Sequence, residues 1–517
     1  MEISIEKFLE DLYVKGISLW MEDDKLHFKA PKGSITKDEL NMLKENKEKI
    51  IDILTENETI KIVPDIKSRY EPFPCTDIQS AYLLGRSDSF EYGGVACHIY
   101  LELEYNQLEQ KKTEEIWNRL IERHDMLRVK FDKSGNQYIQ KEVDDFEIIY
   151  NDYSGQDESV LTEKMNEIRQ NMGNRVYDIE KWPLFDIQLT KTNNNYIMHF
   201  SIEFIIADWT SIRLLLNEFD ILNRNIDEEL PKLELTFRDY ILAADKLKKS
   251  KQYIEDKNYW MQRVDNLPSA PKLPILVNEK NEKVKFKRHT LHIKQDKWNM
   301  LKDFAKKKGL TPTATVLTAF ALIIERWSTE SRFCLNLTLL NRMPIHPQVN
   351  DIVGDFTTIN LLEVNLNDIK TFIEYAKDIQ KRLFDDLDHK LFSGVEVIRE
   401  LARRHSNKEL MPIIFTSAIG SESTNVASSK IEVNENGISQ TPQVFIDCQA
   451  MDDENGLRIN WDVRDKIFPQ NMIKDMFNSF EELLNRLVEM KETWNEKDIV
   501  KLPLWQQNER KIVNDTS

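Results

Sequence analysis

Between about residues 71 and 500, segments whose apolar residues recur at every second position are interspersed irregularly with segments of helical spacing. That mixture dictates an α/β body. Tyr196, Met198, Phe200 and Ile202 alternate with Ile197, His199, Ser201 and Glu203, giving a strand with one apolar face and one polar face. The polar face is expected to border a site. Amphipathic helices are expected over 114–123 and 472–490, and the stripe of the second reads as core packing rather than as a membrane or cofactor surface. With 517 residues the chain exceeds what one hydrophobic core sustains, so two or three folded units are expected.

Composition removes several function classes. Seventy-one Lys and Arg against 88 Asp and Glu leave a formal charge of −17, which argues against general nucleic-acid binding, where clustered cations must neutralise phosphates. No apolar run approaches the roughly 18 residues of a membrane span, and no charged segment leading into an apolar one opens the chain. Cys75, Cys97, Cys334 and Cys448 are scattered, form no CxxC or Cys/His spacing, and suit a reducing cytoplasm. No metal site is expected. GxSxG, P-loop, GxGxxG and HExxH motifs are absent from the sequence.

Residues 1–57 have the internal logic of a small domain. Ile5, Phe8, Leu9 and Leu12 repeat at helical spacing up to Gly16. Ile17, Leu19 and Met21, then Leu26, Phe28 and Ala30, alternate around Asp23-Asp24 as a hairpin. After Pro31 and Gly33, Thr36 and Glu39 have capping-box spacing ahead of helical stretches ending near Leu54. Gly16, Leu19, Trp20, Ala30, Pro31 and Gly33 resemble the pattern of TubC-type docking domains of megasynthases. That resemblance implies an αββαα fold that captures the C-terminal tail of an upstream synthetase by strand addition, with Leu19, Trp20, Leu26 and Phe28 as docking residues. Residues 58–70 read as a linker.

PFPCTDIQSAYLLGR at 72–86 and RHDMLR at 123–128 resemble the first two signatures of nonribosomal peptide synthetase heterocyclisation domains. Taken alone, His124 reads as a helix-end histidine. In that family DxxxxDxxS replaces the HHxxxDG of ordinary condensation domains. Here Asp208 and Ser211 fit the pattern, while Glu203 stands in place of its first Asp. Further strings at 309–328 and 341–358 extend the resemblance over the whole chain. It implies that Asp208 pairs structurally with Arg342, and that Glu203, Asp208, Ser211, Asn341, Arg342 and Asp355 form structural or tunnel motifs. PIIFTS at 412–417 and SQTPQVFIDCQ at 439–449 align with the strings that hold a Thr and an Asp for cyclodehydration, here Thr416 and Asp447. On the residues alone, Asp447 is more simply a solvated strand-end carboxylate and Thr416 a satisfied strand hydroxyl. The motif context reverses that. Alternation places Val444 and Ile446 on one side of their strand, with Phe445 and Asp447 on the other.

The resemblance implies a two-lobed, V-shaped pseudo-dimer of chloramphenicol-acetyltransferase-like lobes, with residues 71–270 and 271–500 as the lobes. Residues 501–517 would then lead to a missing adenylation domain. No cofactor is expected to bind directly; phosphopantetheine would arrive on upstream and downstream carrier domains. The implied activity is amide formation followed by cyclodehydration of a carrier-bound Cys, Ser or Thr to a thiazoline or oxazoline. The alternatives are amide formation without cyclisation, made credible by Glu203, and a non-catalytic docking platform.

Overall fold

The computed structural model describes residues 5, 8, 9, 12, 17–22, 25–29, 35–50, 62–87, 92–276, 284–405, 410–420 and 436–508. The expected helix stop at Gly16 and the corner through Ala30, Pro31 and Gly33 lie outside the described residues, as does the Trp20 side chain. Ile5, Phe8, Leu9 and Leu12 stand in helical backbone. Phe8 and Leu12 pack with Ile17, Leu43 and Ile50 into a small core. Strands β1 (Ser18–Glu22) and β2 (Lys25–Lys29) form an antiparallel hairpin. Leu19 and Leu26 rest on that core, whereas Phe28 is 42% exposed. Helix α1 (Lys37–Glu45) starts at Thr36, whose Oγ1 accepts the Glu39 N–H at 3.3 Å while Glu39 Oε2 accepts the Thr36 N–H at 2.8 Å. The Thr-x-x-Glu spacing thus satisfies two helix-end donors locally, an effect of about 1 kcal/mol for such a cap.

The larger body begins with β3 (Phe73–Pro74), α2 (Asp77–Gly85), β4 (His98–Tyr105), α3 (Gln110–Arg123), β5 (Val129–Phe131), β6 (Asn136–Ile139) and β7 (Ile149–Asp152). Then come α4 (Glu158–Gly173), β8 (Phe185–Lys191), β9 (Tyr196–Glu203), α5 (Trp209–Arg224), α6 (Phe237–Leu247) and α7 (Lys251–Arg263). The second half supplies β10 (Phe286–Lys294), α8 (Gln295–Lys307), α9 (Pro312–Trp327), β11 (Arg332–Leu340), β12 (Thr357–Asn365), α10 (Phe372–Leu387) and α11 (Gly394–His405). It ends with β13 (Ile413–Ala418), β14 (Ile438–Gln440), β15 (Ile446–Asp453), β16 (Gly456–Arg464) and α12 (Met472–Glu489).

Two mixed sheets carry this body, ordered β14-β4-β9-β8-β7 and β10-β16-β15-β13-β11-β12, beside a small β3-β6-β5 sheet. Each large sheet is backed by its own core. In the first, Trp117 stacks between Phe200 and Phe219 at centroid distances of 5.4 and 5.6 Å. In the second, Trp461 packs against Phe320, Phe477 and Phe480. Truncating a ring so buried costs about 3 to 5 kcal/mol. The Thr311 cap and Pro312 start α9, where a missing N–H loses no helical bond. Ala314 to Ile324 are all buried, so this helix is core on every side.

Packing departs from the expected boundaries at several places. From residue 62 the expected linker is part of the packed body: Ile62 enters the first core, and Arg69 forms two 2.8 Å bonds to the Asp125 carboxylate. Helix α7 precedes residue 270 yet packs on the second sheet, with Trp260 and Val264 buried among Cys334, Leu361 and Val397. Conversely, Val349, Ile352, Val353 and Phe356 bury in the first core, and β14 adds to the edge of β4. Apolar side chains settle where a complementary surface exists, whatever their place in the chain. Leu502 is likewise buried at the start of the expected trailing linker.

Candidate active site

A cavity of about 1320 Å³ lies between the two large sheets, with Ile99 and Trp209 on one side and Thr338, Thr416, Asp447 and Gln449 on the other. Strands β13 and β15 are parallel neighbours in which Ile414 pairs with Asp447 and Thr416 with Gln449. Period-two alternation therefore points all four at the cavity. Thr416 Oγ1 donates to Asp447 Oδ1 at 3.2 Å. Gln449 Nε2 donates to Asp447 Oδ2 at 2.7 Å and to Ser439 Oγ at 2.8 Å, with Asp462 Oδ2 at 3.3 Å. Ser439 Oγ and N–H both donate to Asp462 Oδ2, at 2.7 and 2.9 Å, and Arg288 grips the same carboxylate through two bonds.

Burial pushes the Asp447 carboxyl up to about 7, and the Asp462 charge adds to the rise, against the opposing bonds from Gln449 and Thr416 and the charge of Arg288. Its carboxyl touches the cavity but is otherwise enclosed by protein, so little bulk water solvates the charged form. A carboxyl poised near neutrality beside a hydroxyl can take and return a proton. The expected alternation holds only from Ile446 onward. The N–H groups of Phe445 and Ile446 both donate to Pro412 O, at 2.8 and 3.3 Å, and both side chains enter the core, while Val444 lines the cavity. Two residues opposite one is a bulge, and it resets the alternation just before Asp447.

A second cluster gathers Asp208, Ser211, Arg342, Asn341 and Asp355. Asp208 caps α5 by accepting the Ser211 N–H at 2.7 Å. Arg342 Nη2 donates to Asp208 Oδ1 at 2.9 Å and to Ser211 Oγ at 2.7 Å, and Nη1 donates to Val349 O and Ile352 O. The guanidinium lies 4.0 Å from the Phe356 ring centroid. Asn341 joins through its backbone, its N–H donating to Phe356 O and its carbonyl accepting the Tyr240 hydroxyl. Asp355 is buried, and burial with the nearby Asp208 charge pushes it to about 8.

Glu203 stands apart from both clusters, fully buried and paired with Arg86 at 2.8 Å. Burial raises its pKa while Arg86 opposes the rise. The polar face of β9 does not border the cavity, contrary to expectation. Helix α4 covers it, and its polar groups satisfy one another: Tyr100 bridges Glu102 and His199, Arg169 grips Glu102, and Ser201 meets His98. His124 is buried and bonded to Glu218 at 2.7 Å, away from the cavity lining. Sequence reading missed Gln449, Ser439, Arg288 and Asp462. Gln449 could have been found from its position two residues beyond Asp447, on the same strand face; for the Arg288–Asp462 pair no local signal exists.

Residues 73–501 match the condensation-domain family model, and residues 5–56 match the TubC N-terminal docking domain. The chain belongs to the condensation-domain family. It is 34% identical over 501 residues to pyochelin synthetase PchF of Pseudomonas aeruginosa, covering 96% of this chain and 28% of that protein. It is 32% identical over 451 residues to phenyloxazoline synthase MbtB of Mycobacterium tuberculosis, covering 86% of this chain and 32% of that one. This condensation-domain chain therefore spans about a third or less of the length of these relatives. Its fold is similar to the EpoB cyclization-docking bidomain from Sorangium cellulosum, with a TM-score of 0.78 and 32% identity over 95% of this chain and 100% of that one. Among the described residues no helix is long and apolar enough to cross a membrane, and no group of three or more potential metal ligands gathers.

Proposed function

We propose that this condensation-domain chain joins an acyl group on one carrier to an amino acid on another, Cys ahead of Ser or Thr, and then closes the new amide into a thiazoline or oxazoline. The observation that carries this reading is the Asp447 carboxyl, raised to about 7 and bonded to Thr416 at the cavity wall. After the acceptor amine displaces the donor thioester, the acceptor side chain adds to the amide carbonyl and leaves a hemiaminal. Its C–O bond breaks as the Asp447 proton goes to the departing hydroxyl, and the nitrogen lone pair forms the C=N bond. The N–H proton then passes to the Asp447 carboxylate, so one water is lost and the carboxyl is restored. Thr416 orients the group in transit. Tethering both reactants contributes about 7 kcal/mol or more toward the bimolecular step.

The cavity exceeds the roughly 300 to 1,000 Å³ of ordinary small-molecule sites, which suits two tethered substrates meeting inside it. Phosphopantetheine arrives as part of the carriers, and an adenylation domain of the same assembly would select the acceptor. The docking match and half-exposed Phe28 support capture of an upstream synthetase tail by the β1–β2 hairpin. Four free cysteines suit a cytoplasmic setting. Mass analysis of the product from two loaded carriers tests the reading. The parent should yield amide minus water, and Asp447→Asn should yield open amide with ring formation down about 10²- to 10⁴-fold. Equal ring yield from both would overturn it.

A further inference from the structure

We propose that Gln449 is a positioning residue that makes Oδ1 of Asp447, the oxygen facing Thr416, the one that takes up and releases the proton. The inference rests on the proposed role of Asp447 and adds which oxygen acts and what selects it. The Gln449 amide nitrogen is assigned to this side by two partners that only accept, the Asp462 carboxylate held by Arg288 and the Ser439 hydroxyl, and it then donates to Asp447 Oδ2 as well. Ser439 Oγ spends its own proton on Asp462 Oδ2, so toward Gln449 it can only accept. The two amide hydrogens are then committed, one to Ser439 and one to Asp447 Oδ2.

A protonated carboxyl oxygen is a poor acceptor. Keeping the 2.7 Å bond from Gln449 to Oδ2 therefore favours a proton on Oδ1. Among the described residues Oδ1 is hydrogen-bonded to the Thr416 hydroxyl, which can donate to the carboxylate and, after rotating, accept from the acid. Thr416 can follow both states of Asp447; Gln449 can serve only one of its oxygens. The arrangement is anchored from both halves of the chain. The Ser439 backbone lies in β14, paired with Ile99 of β4, while its side chain and N–H hold Asp462 of β16, itself gripped by Arg288 of β10. The titratable and charged groups facing Asp447 from the surrounding elements are Asp462 on β16, Arg288 on β10 and Tyr82 on α2, with Cys448 beside it in β15. Of these, Tyr82 and Cys448 are both raised by burial and do not titrate near neutrality.

The test compares Gln449→Leu, Gln449→Ala and Asp447→Asn in the full chain, supplied with one acyl-loaded and one cysteinyl-loaded carrier, across pH 5 to 9. Ring and open amide are quantified by mass, and melting temperatures are recorded. Both Gln449 variants are expected to lose about 10²-fold in ring formation, the scale of a misplaced catalytic group, while amide formation stays within a few-fold. The pH midpoint of ring formation should also move upward, since the charged carboxylate has lost a donor. Unchanged ring yield and midpoint in both Gln449 variants, with ring lost in Asp447→Asn, would overturn the role of Gln449. So would equal losses of ring and amide tracking a fall in melting temperature. Ring retained in Asp447→Asn would instead overturn the proposed function itself.

Discussion

Glu203 and Arg86 meet at 2.8 Å across 117 residues of chain, which joins the end of α2 to the end of β9 inside the protein. Arg86 also donates to Tyr177 O, and the Tyr177 N–H donates to Glu203 Oε1 at 3.3 Å. The carboxylate is therefore an anchor for the strand end and is absent from the cavity lining. Glu203→Ala should destabilise the fold by about 3 to 5 kcal/mol, because a mostly buried guanidinium is left without its counter-charge. Glu203→Asp should retain most of the stability. In both, the ratio of ring to open amide should match the parent when measured well below the melting temperature. A ratio altered by Glu203→Asp would assign this position to the chemistry.

Asp208 and Asp355 share one neighbouring guanidinium, Arg342, and Asp355 stands at about 8. A folded value raised above the ordinary carboxylate range means that the native state binds more protons between about pH 4 and 8. Stability from this group is thus full below that window and falls as pH rises through it. Asp355→Asn, which mimics the neutral form, should melt close to the parent at pH 5. At pH 9 it should gain on the order of 2 to 4 kcal/mol relative to the parent. Thermal melts of the pair at both pH values check the sign.

Arg342 ties residues 341–356 to the start of α5, bonding Asp208 Oδ1 134 positions away, Ser211 Oγ and two backbone carbonyls on its own segment. Lys cannot span that fork. Arg342→Lys should cost about 2 to 4 kcal/mol, measured by denaturant titration, and the coupling to Asp208 in a double-mutant cycle with Asp208→Asn should exceed about 1 kcal/mol.

The carboxyl of Asp447 at about 7 predicts that ring formation changes with pH around neutrality, whereas amide formation does not follow the same curve. Thr416→Val removes a bond to the charged form, so the midpoint should shift to higher pH and ring yield should fall. Product ratios from pH 5 to 9 give both readouts.

Phe28 is 42% exposed in the hairpin strand that also places Leu26 on the small core. Phe28→Glu should weaken calorimetric binding of an upstream synthetase tail to the full chain by roughly tenfold or more. Ring formation from carriers supplied free in solution should be unchanged.

What the sequence determined by itself is what depends on neighbours a few residues away. The capping pair Thr36 and Glu39, the stripe of α12 and the period-two faces of β9 all rest on spacings of two to four residues, which the chain states directly. The motif strings also located Asp447 and Thr416, and these meet because their strands are neighbours in one sheet. Only tertiary structure decided which face of β9 meets α4 instead of the cavity, where the bulge at Phe445 and Ile446 resets alternation, and that β14 leaves the second half to extend the first sheet. It also decided that Glu203 is held by Arg86 and Asp447 by Gln449 within the Ser439–Asp462–Arg288 network. Periodicity says which side chains share a face and nothing about what will cover it. A buried charge can be satisfied by any complementary group the fold brings near, and for Arg86 and Arg288 that group lies 117 and 174 residues away.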